Sequence, residues 1–367
     1  MGVSMHEVLE FNRNKRPAPR SQDENRSEAE TRVAVIGGGA WGRNLVRCFA
    51  ELGCLAAVVD AHQDRAEDLA SRYGGRVMSF DQVRTDPTIQ AVAVATPPSS
   101  HHTVTKAALL AGKHVFVEKP LTQDVAQAQE LSDLAVRRRL TLMVGHVLQY
   151  HPAIVKLRNL IADGRIGRVL RFHASRLNLG AIRRHEDVLW CLGPHDISVI
   201  LALVGSEPSD IAAVGGFHLR ETIADTATLH LSFPGGEQAQ INLSWLHPVK
   251  EHRLTVIGSS GMLVFDDGEP WERKLLLYPH QVSLAADQPA TVRSEPLAMP
   301  LEQSEPLRLE CEHFLSCVRF GLEPRTSGEE GLRVVRVLDQ ASTAMRPDWT
   351  SRRPVTAGPD HRWTAYG

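Results

Sequence analysis

Four apolar residues, Val33-Ala34-Val35-Ile36, run directly into Gly37-Gly38-Gly39-Ala40-Trp41-Gly42, and a helical pattern from about Trp41 to Leu52 follows. No other feature restricts the fold as much. A compact apolar strand of this kind suits a parallel sheet covered by helices on both faces, where neither side of the strand meets water. The glycine string fits G-x-G-x-x-G, and a place between buried strand and helix is where that string binds a dinucleotide. Gly37 permits a tight turn, Gly39 lets the backbone approach a pyrophosphate, and Gly42 allows close helix–strand packing. Ala40 and Trp41 belong to the same loop. N–H groups exposed at the helix start, together with the helix dipole, attract the phosphates. Asp60 closes the second predicted strand, near the expected spacing of ~20 residues, where its carboxylate accepts hydrogen bonds from the adenosine ribose. The same charge repels a 2′-phosphate and no arginine follows it immediately, so NAD is expected in preference to NADP.

The alternation continues to about residue 150. Strands are predicted at Ala56 to Asp60, Ala91 to Ala95, Val115 to Glu118 and Thr141 to Gly145, and helices at Asp64 to Tyr73, Thr103 to Ala111 and Asp124 to Arg137. Such βα order gives a doubly wound parallel sheet. After His151 the pattern changes. A helix over Ala153 to Ala162 precedes a strand over Val169 to Leu177, and the chain turns helical around Pro194 through Val204. Strand candidates follow from Ile211 to Tyr278, with Gly235-Gly236 and Gly258 to Gly261 at hairpin positions. Segment 280–300 reads as a loop, and helices over Leu301 to Phe320 and Gly328 to Met345 close the chain. The fold class is therefore α/β: an N-terminal Rossmann domain (32–150), then an α+β domain (151–350) with a large mixed or antiparallel sheet. Residues 1–31 read as a disordered extension and 351–367 as a tail.

Composition excludes several functions. The 367-residue chain carries a formal net charge of −2, with basic residues scattered among acidic ones, so a nucleic-acid surface is not expected. Five cysteines, none in a Cys-x-x-Cys pair, point to a reduced cytoplasmic protein. No apolar run reaches transmembrane length. Seventeen histidines include His101-His102 and His185, but none has the spacing of a zinc helix, and no metal is expected.

The third clear strand runs into Thr96-Pro97-Pro98-Ser99-Ser100-His101, at the strand end where open α/β sheets bind ligands. Thr96, Pro97 and His101 are placed beside the nicotinamide half of the cofactor, with Ser99 or Ser100 capping the next helix. The fourth strand ends in Glu118-Lys119-Pro120. Lys119 can reach into the cleft above a nicotinamide, where a cation favours an alkoxide developing as a hydroxyl proton is lost.

Together with Gly37 to Gly42, Ala95 to Pro98 and the β-rich second half, Glu118-Lys119-Pro120 resembles the Gfo/Idh/MocA family (glucose–fructose oxidoreductase, inositol dehydrogenase, rhizopine catabolism) over roughly residues 31–346. The resemblance implies a cis bond before Pro120 and a role for Lys119 in orienting substrate and in proton transfer. It also aligns His195, in Val188-Leu189-Trp190-Cys191-Leu192-Gly193-Pro194-His195-Asp196, with the family's acid/base histidine. Histidine suits that task because its ordinary pKa of ~6.5 lies near neutrality. Cys191 departs from the pattern, since many members carry Asp four residues before the histidine. This leaves Lys119 and His195 as the catalytic pair. Cys191 reads as a small core residue, and Asp196 as a helix cap or an orienting group for His195, the cap being favoured.

Within the family, Gly145-His146 to Ile154, Leu189-Trp190 and Ser327 to Leu332 resemble the sugar-nucleotide 3-dehydrogenase branch, which acts on UDP-N-acetylglucosaminuronic acid. The expected function is NAD-dependent hydride transfer at C3 of such a sugar. Its anionic groups would be held by Arg176, Asn178 and Arg183, with Arg184 nearby and Tyr150 lining the cleft. Alternatives are an inositol, cyclitol or free-sugar dehydrogenase, a keto-sugar-nucleotide reductase, and, in another class, a non-catalytic dinucleotide-binding sensor. The resemblance further implies a homodimer or homotetramer, formed through the second sheet if its outer face is apolar.

Overall fold

A computed structural model describes residues 31–345 apart from 181, 185, 286 and 287; the expected extension up to residue 30, the last five residues (346–350) of the expected second domain, the expected tail 351–367 and His185 lie outside the described residues. Six strands form the first sheet: β1 (Val33–Ile36), β2 (Leu55–Val59), β3 (Arg76–Val77), β4 (Ala91–Val94), β5 (His114–Glu118) and β6 (Leu142–Gly145). Their order is β3-β2-β1-β4-β5-β6, and every pairing is parallel. The direction of growth reverses between β1 and β4, and a crevice opens there at the carboxyl ends. All four residues of β1 and of β4 are buried, as sterically compact apolar strands between two helical layers must be.

Five helices cover this sheet: α1 (Gly42–Glu51), α2 (Gln63–Tyr73), α3 (Phe80–Thr85), α4 (Pro98–Leu110) and α5 (Val125–Arg138). The short β3 and α3 have too little apolar periodicity to be read from sequence; a capping box between Ser79 and Gln82 starts α3. α4 begins five residues earlier than predicted. Proline fits the first helical turn, where its missing N–H costs nothing. Ser99 and Ser100 therefore lie inside the helix and not at its cap; the Ser100 hydroxyl bonds the Pro97 carbonyl and Thr96.

The second sheet holds β7 (Val169–Leu179), β8 (Asp210–Gly216), β9 (Thr226–Ser232), β10 (Gln238–Ser244), β11 (Leu246–Gly258), β12 (Met262–Asp266), β13 (Leu275–Tyr278) and β16 (Leu297–Ala298). Only the β7–β10 pair among these is parallel. Segment 280–300 is not the loop expected of it: β14 (Gln281–Ala285) and β15 (Gln288–Val292) form a hairpin, and β16 adds an edge. Threonine and valine supply strand propensity there despite the prolines and alanines.

On one face Phe172, Ala174, Leu229, Ile241, Leu243 and Val256 pack under α6 (Pro152–Ala162), α7 (Val188–Val204) and α9 (Gly328–Met345). Positions between them, including His173, Ser175, Thr228, His230, Gln240 and Asn242, carry polar side chains. Toward β11, β12 and β13 the same outer face carries Ile257, Met262, Val264, Leu276 and Tyr278, so it is polar at one side of the sheet and apolar at the other.

α8 (Pro306–Phe320) returns to the first sheet, where Phe314 meets Phe49 and Phe116 edge to face. α9 contributes Leu332 and Val335 to the first core and Val334 and Leu338 to the second. α9 therefore fastens the two sheets together. Among the described residues no helix is long and apolar enough to cross a membrane.

Candidate active site

A cleft of about 750 Å³ lies at the β1/β4 crevice and is closed on its far side by α7 and the loop before it. Gly37 takes φ +100°, and a Cβ there would lie 2.6 Å from the Ala95 carbonyl oxygen. At Gly42 a Cβ would meet the Gly37 carbonyl oxygen at 1.9 Å, so any side chain breaks the loop. At Gly39 a Cβ would meet nothing within 4 Å; it borders the open cleft. No side chain caps α1, so no side-chain acceptor competes with an anion for the positive end of its dipole, although the N–H groups of Arg43 and Asn44 already donate to the Gly39 and Trp41 carbonyls. These features fit a pyrophosphate. Ala40 and Trp41 also line the cleft, whereas Gly42 sits behind it.

Asp60 follows β2 and lines the cleft beside the glycine loop. Its carboxylate accepts from the N–H of Gly38 at 2.6 Å and of His62 at 2.8 Å. Burial works to raise its pKa, but those N–H groups and Arg65 outweigh it and hold it below the usual range. Arg65 is a residue the sequence reading passed over. It does not follow Asp60 directly, yet the first turn of α2 brings its guanidinium to 3.2 Å from the carboxylate, and both line the cleft.

Further along, Thr96, Pro97, Glu118 and Lys119 form the opposite wall. The Lys119–Pro120 bond is cis. Glu118 is buried and accepts from the Trp41 indole N–H; burial pushes its pKa up to about 7 against the pull of Trp41 and Lys119. His101 borders the cleft, but its ring nitrogens face the carbonyls of Pro120 at 2.7 Å and Thr96 at 2.9 Å. It braces two loops and has no free polar atom for a cofactor.

α7 begins at Val188, earlier than predicted, because Asp187 caps it by accepting from the Trp190 N–H at 2.9 Å. Pro194 lies inside this helix and offers no N–H to the Trp190 carbonyl. One residue on, the Cys191 carbonyl accepts from Lys119 Nζ at 2.7 Å, bridging the two halves of the cleft. His195 faces the same space. Its burial, then the charges of Lys119 and Arg176, depress its pKa well below the ordinary value and keep the imidazole neutral.

Three expected substrate contacts fall elsewhere. Tyr150 is 2% exposed, its ring under Arg325 and against His313, with its hydroxyl at Thr326. Arg176 is buried in a two-pronged pair with Asp196, Nε to Oδ2 2.7 Å and Nη2 to Oδ1 3.2 Å. Asp196 is thereby neither cap nor His195 partner. Asn178 lies at the end of β7, outside the cleft lining. Arg183 does line the cleft, and so does Glu186, which the sequence reading missed. No spacing rule brings residue 186 to Lys119; the folding of the loop before α7 does. Among the described residues no group of three or more His, Cys, Asp or Glu could hold a metal.

Residues 31–146 match the Gfo/Idh/MocA oxidoreductase family, NAD-binding Rossmann fold, and residues 154–264 match the Gfo/Idh/MocA C-terminal domain. UDP-N-acetylglucosamine 3-dehydrogenase from Acidithiobacillus ferrooxidans is 30% identical over 86% of this chain and 97% of its own. A solved structure of that enzyme superposes with a TM-score of 0.77, at 29% identity and the same coverage of 86% and 97%. Inositol 2-dehydrogenase from Rhizobium meliloti is 26% identical, covering 78% of this chain and 88% of its own. A dTDP-3,4-didehydro-2,6-dideoxy-alpha-D-glucose 3-reductase from Actinomadura kijaniata is 27% identical over 86% and 96%.

Proposed function

The chain belongs to the Gfo/Idh/MocA family of oxidoreductases, and on that premise we propose that it oxidises the C3 hydroxyl of a UDP-linked N-acetylhexosamine, with NAD as the preferred acceptor. One observation carries this reading. Lys119, from the end of β5, and His195, from α7, face one cleft whose other end is the glycine loop and Asp60.

When bound, the nicotinamide supplies the acceptor for the hydride that C3 gives up. The neutral His195 imidazole takes the hydroxyl proton. The Lys119 ammonium donates to the same oxygen and stabilises its developing negative charge as the C–O bond becomes a carbonyl. The alcohol thus loses one hydride and one proton. The bond to the Cys191 carbonyl fixes the ammonium's direction, so little reorganisation is needed in the transition state.

A uronic acid at C6 is a second reading. Arg183 in the lining favours it; the engagement of Arg176 by Asp196 and the presence of Glu186 count against it. The preference for NAD is supported by Asp60. The test is NADH formation with UDP-N-acetylglucosamine, UDP-N-acetylglucosaminuronic acid, glucose and myo-inositol, alongside Lys119→Ala. Reduction with the first, lost in the variant by about 10³-fold, is the expected result. Turnover of only inositol or glucose would refute the nucleotide-sugar reading.

A further inference from the structure

Three carboxylates line the cleft: Asp60, Glu118 and Glu186. Asp60 is engaged by two backbone N–H groups and Arg65, and Glu118 by the Trp41 indole. Glu186 is half-buried and has no hydrogen-bond or ion-pair partner among the described residues. A carboxylate withdrawn from water in that way needs a compensating charge or donor. The cations acting on it are Lys119, across the cleft, and Arg183, from its own loop; the Asp187 carboxylate opposes them.

α7 offers no competitor. Asp187 caps the helix, Asp196 is tied to Arg176, and position 191 holds a cysteine whose carbonyl alone meets Lys119. The loop is also well placed to present Glu186 reproducibly, because the next residue is pinned to the helix start by its cap bond.

Resting on the reading of Lys119 given above, we propose that Glu186 is the carboxylate that works with Lys119 in this chain, a positioning residue entering from the loop before α7. An ammonium has three protons. One goes to the Cys191 carbonyl. A carboxylate across the cleft holds the charge on the others toward the space where the sugar oxygen sits.

The groups facing Glu186 are Lys119 from the end of β5, Arg183 and Asp187 from its own segment, and His195 from α7. Burial raises the Glu186 pKa; Lys119 and Arg183 pull it back, and Asp187 adds to the rise. The net shift is upward, so Glu186 takes up a proton at a higher pH than an ordinary carboxylate. Its service to Lys119 is present above that point and lost as pH falls through it.

The test uses the full chain and needs no substrate for its first arm. Trinitrobenzenesulfonate, an anionic amine reagent, labels Lys119, and the rate is followed by peptide mass spectrometry. A neighbouring carboxylate repels the anionic reagent from the amine. Glu186→Gln should therefore speed Lys119 labelling by about threefold or more, while Glu186→Asp stays near wild type. Equal rates in all three proteins overturn the proposal. NADH titration of each variant checks that the fold is intact.

In the second arm, with a sugar the wild type turns over, Glu186→Gln should lower kcat roughly 10²-fold with KM changed far less. The acid-side fall of kcat/KM should move to lower pH, and Glu186→Asp should recover part of the loss. An unchanged kcat and pH profile would also overturn it. Absence of turnover with every sugar would sink the substrate reading alone, since the labelling rates still decide the pairing.

Discussion

The two ends of the cleft are built by different means. At the dinucleotide end the backbone does the work: glycines, a strand end and a helix start, all within residues 33–60. At the other end side-chain charges do it: Lys119, Arg183, Glu186 and His195 line the cleft, and the buried Arg176–Asp196 pair lies outside the lining, where the Arg176 charge still acts on His195. A backbone cradle can be specified by local order, because Gly42 meets Gly37 a few residues away and Gly37 meets Ala95 at the end of the adjacent strand. A charge cluster cannot, because each member's ionisation and availability depend on neighbours far away in sequence.

The comparison predicts different kinds of failure. The largest effect is expected at the charged end. Asp196→Ala strands Arg176 in a buried site, and breaking such a pair costs about 3–5 kcal/mol. Urea unfolding should show it, and Arg176→Met with Asp196→Leu should recover most of the loss. A loss below about 1 kcal/mol would mean that Arg176 reaches water or another partner.

Next comes Gly42→Ala at the backbone end. Its Cβ would stand 1.9 Å from the Gly37 carbonyl oxygen, so the loop must shift. Strain of about 1–3 kcal/mol, or roughly a tenfold to hundredfold loss, should appear in NADH affinity while urea unfolding changes less. Unchanged affinity would break the claim that backbone fit governs this end.

Tyr150→Phe should do least. The hydroxyl reaches Thr326 at 3.4 Å and the Met143 sulfur at 3.9 Å, both weak contacts outside the cleft. Stability should fall by at most about 1 kcal/mol, with KM for the sugar unchanged. A tenfold rise in KM would return Tyr150 to the site.

How far the site was legible follows the same division. Gly37, Gly39, Asp60, Thr96, Glu118, Lys119 and His195 were all named from sequence and all border the cleft. Arg65 could have been found, since a helix starting after Asp60 turns that position back toward the strand end. Glu186 could not, and Arg176 was misread. On a strand of alternating exposure an arginine looks like a ligand grip, and only the position of Asp196 on the helix above shows that it is already paired.

The sequence by itself determined the parallel βα alternation of the first sheet, the glycine loop and the carboxyl-end placement of Lys119. Those follow from burial of short apolar strands and from conformations that only glycine or a strand end supplies. Tertiary structure alone decided which charges are free. Burial sets the cost of an unpaired charge, and distance sets its relief; neither is fixed until β7, α7 and the loop before it are packed against the first sheet. Arg176 and Asp196 neutralise each other there, His195 is held neutral, and Glu186 is left facing Lys119.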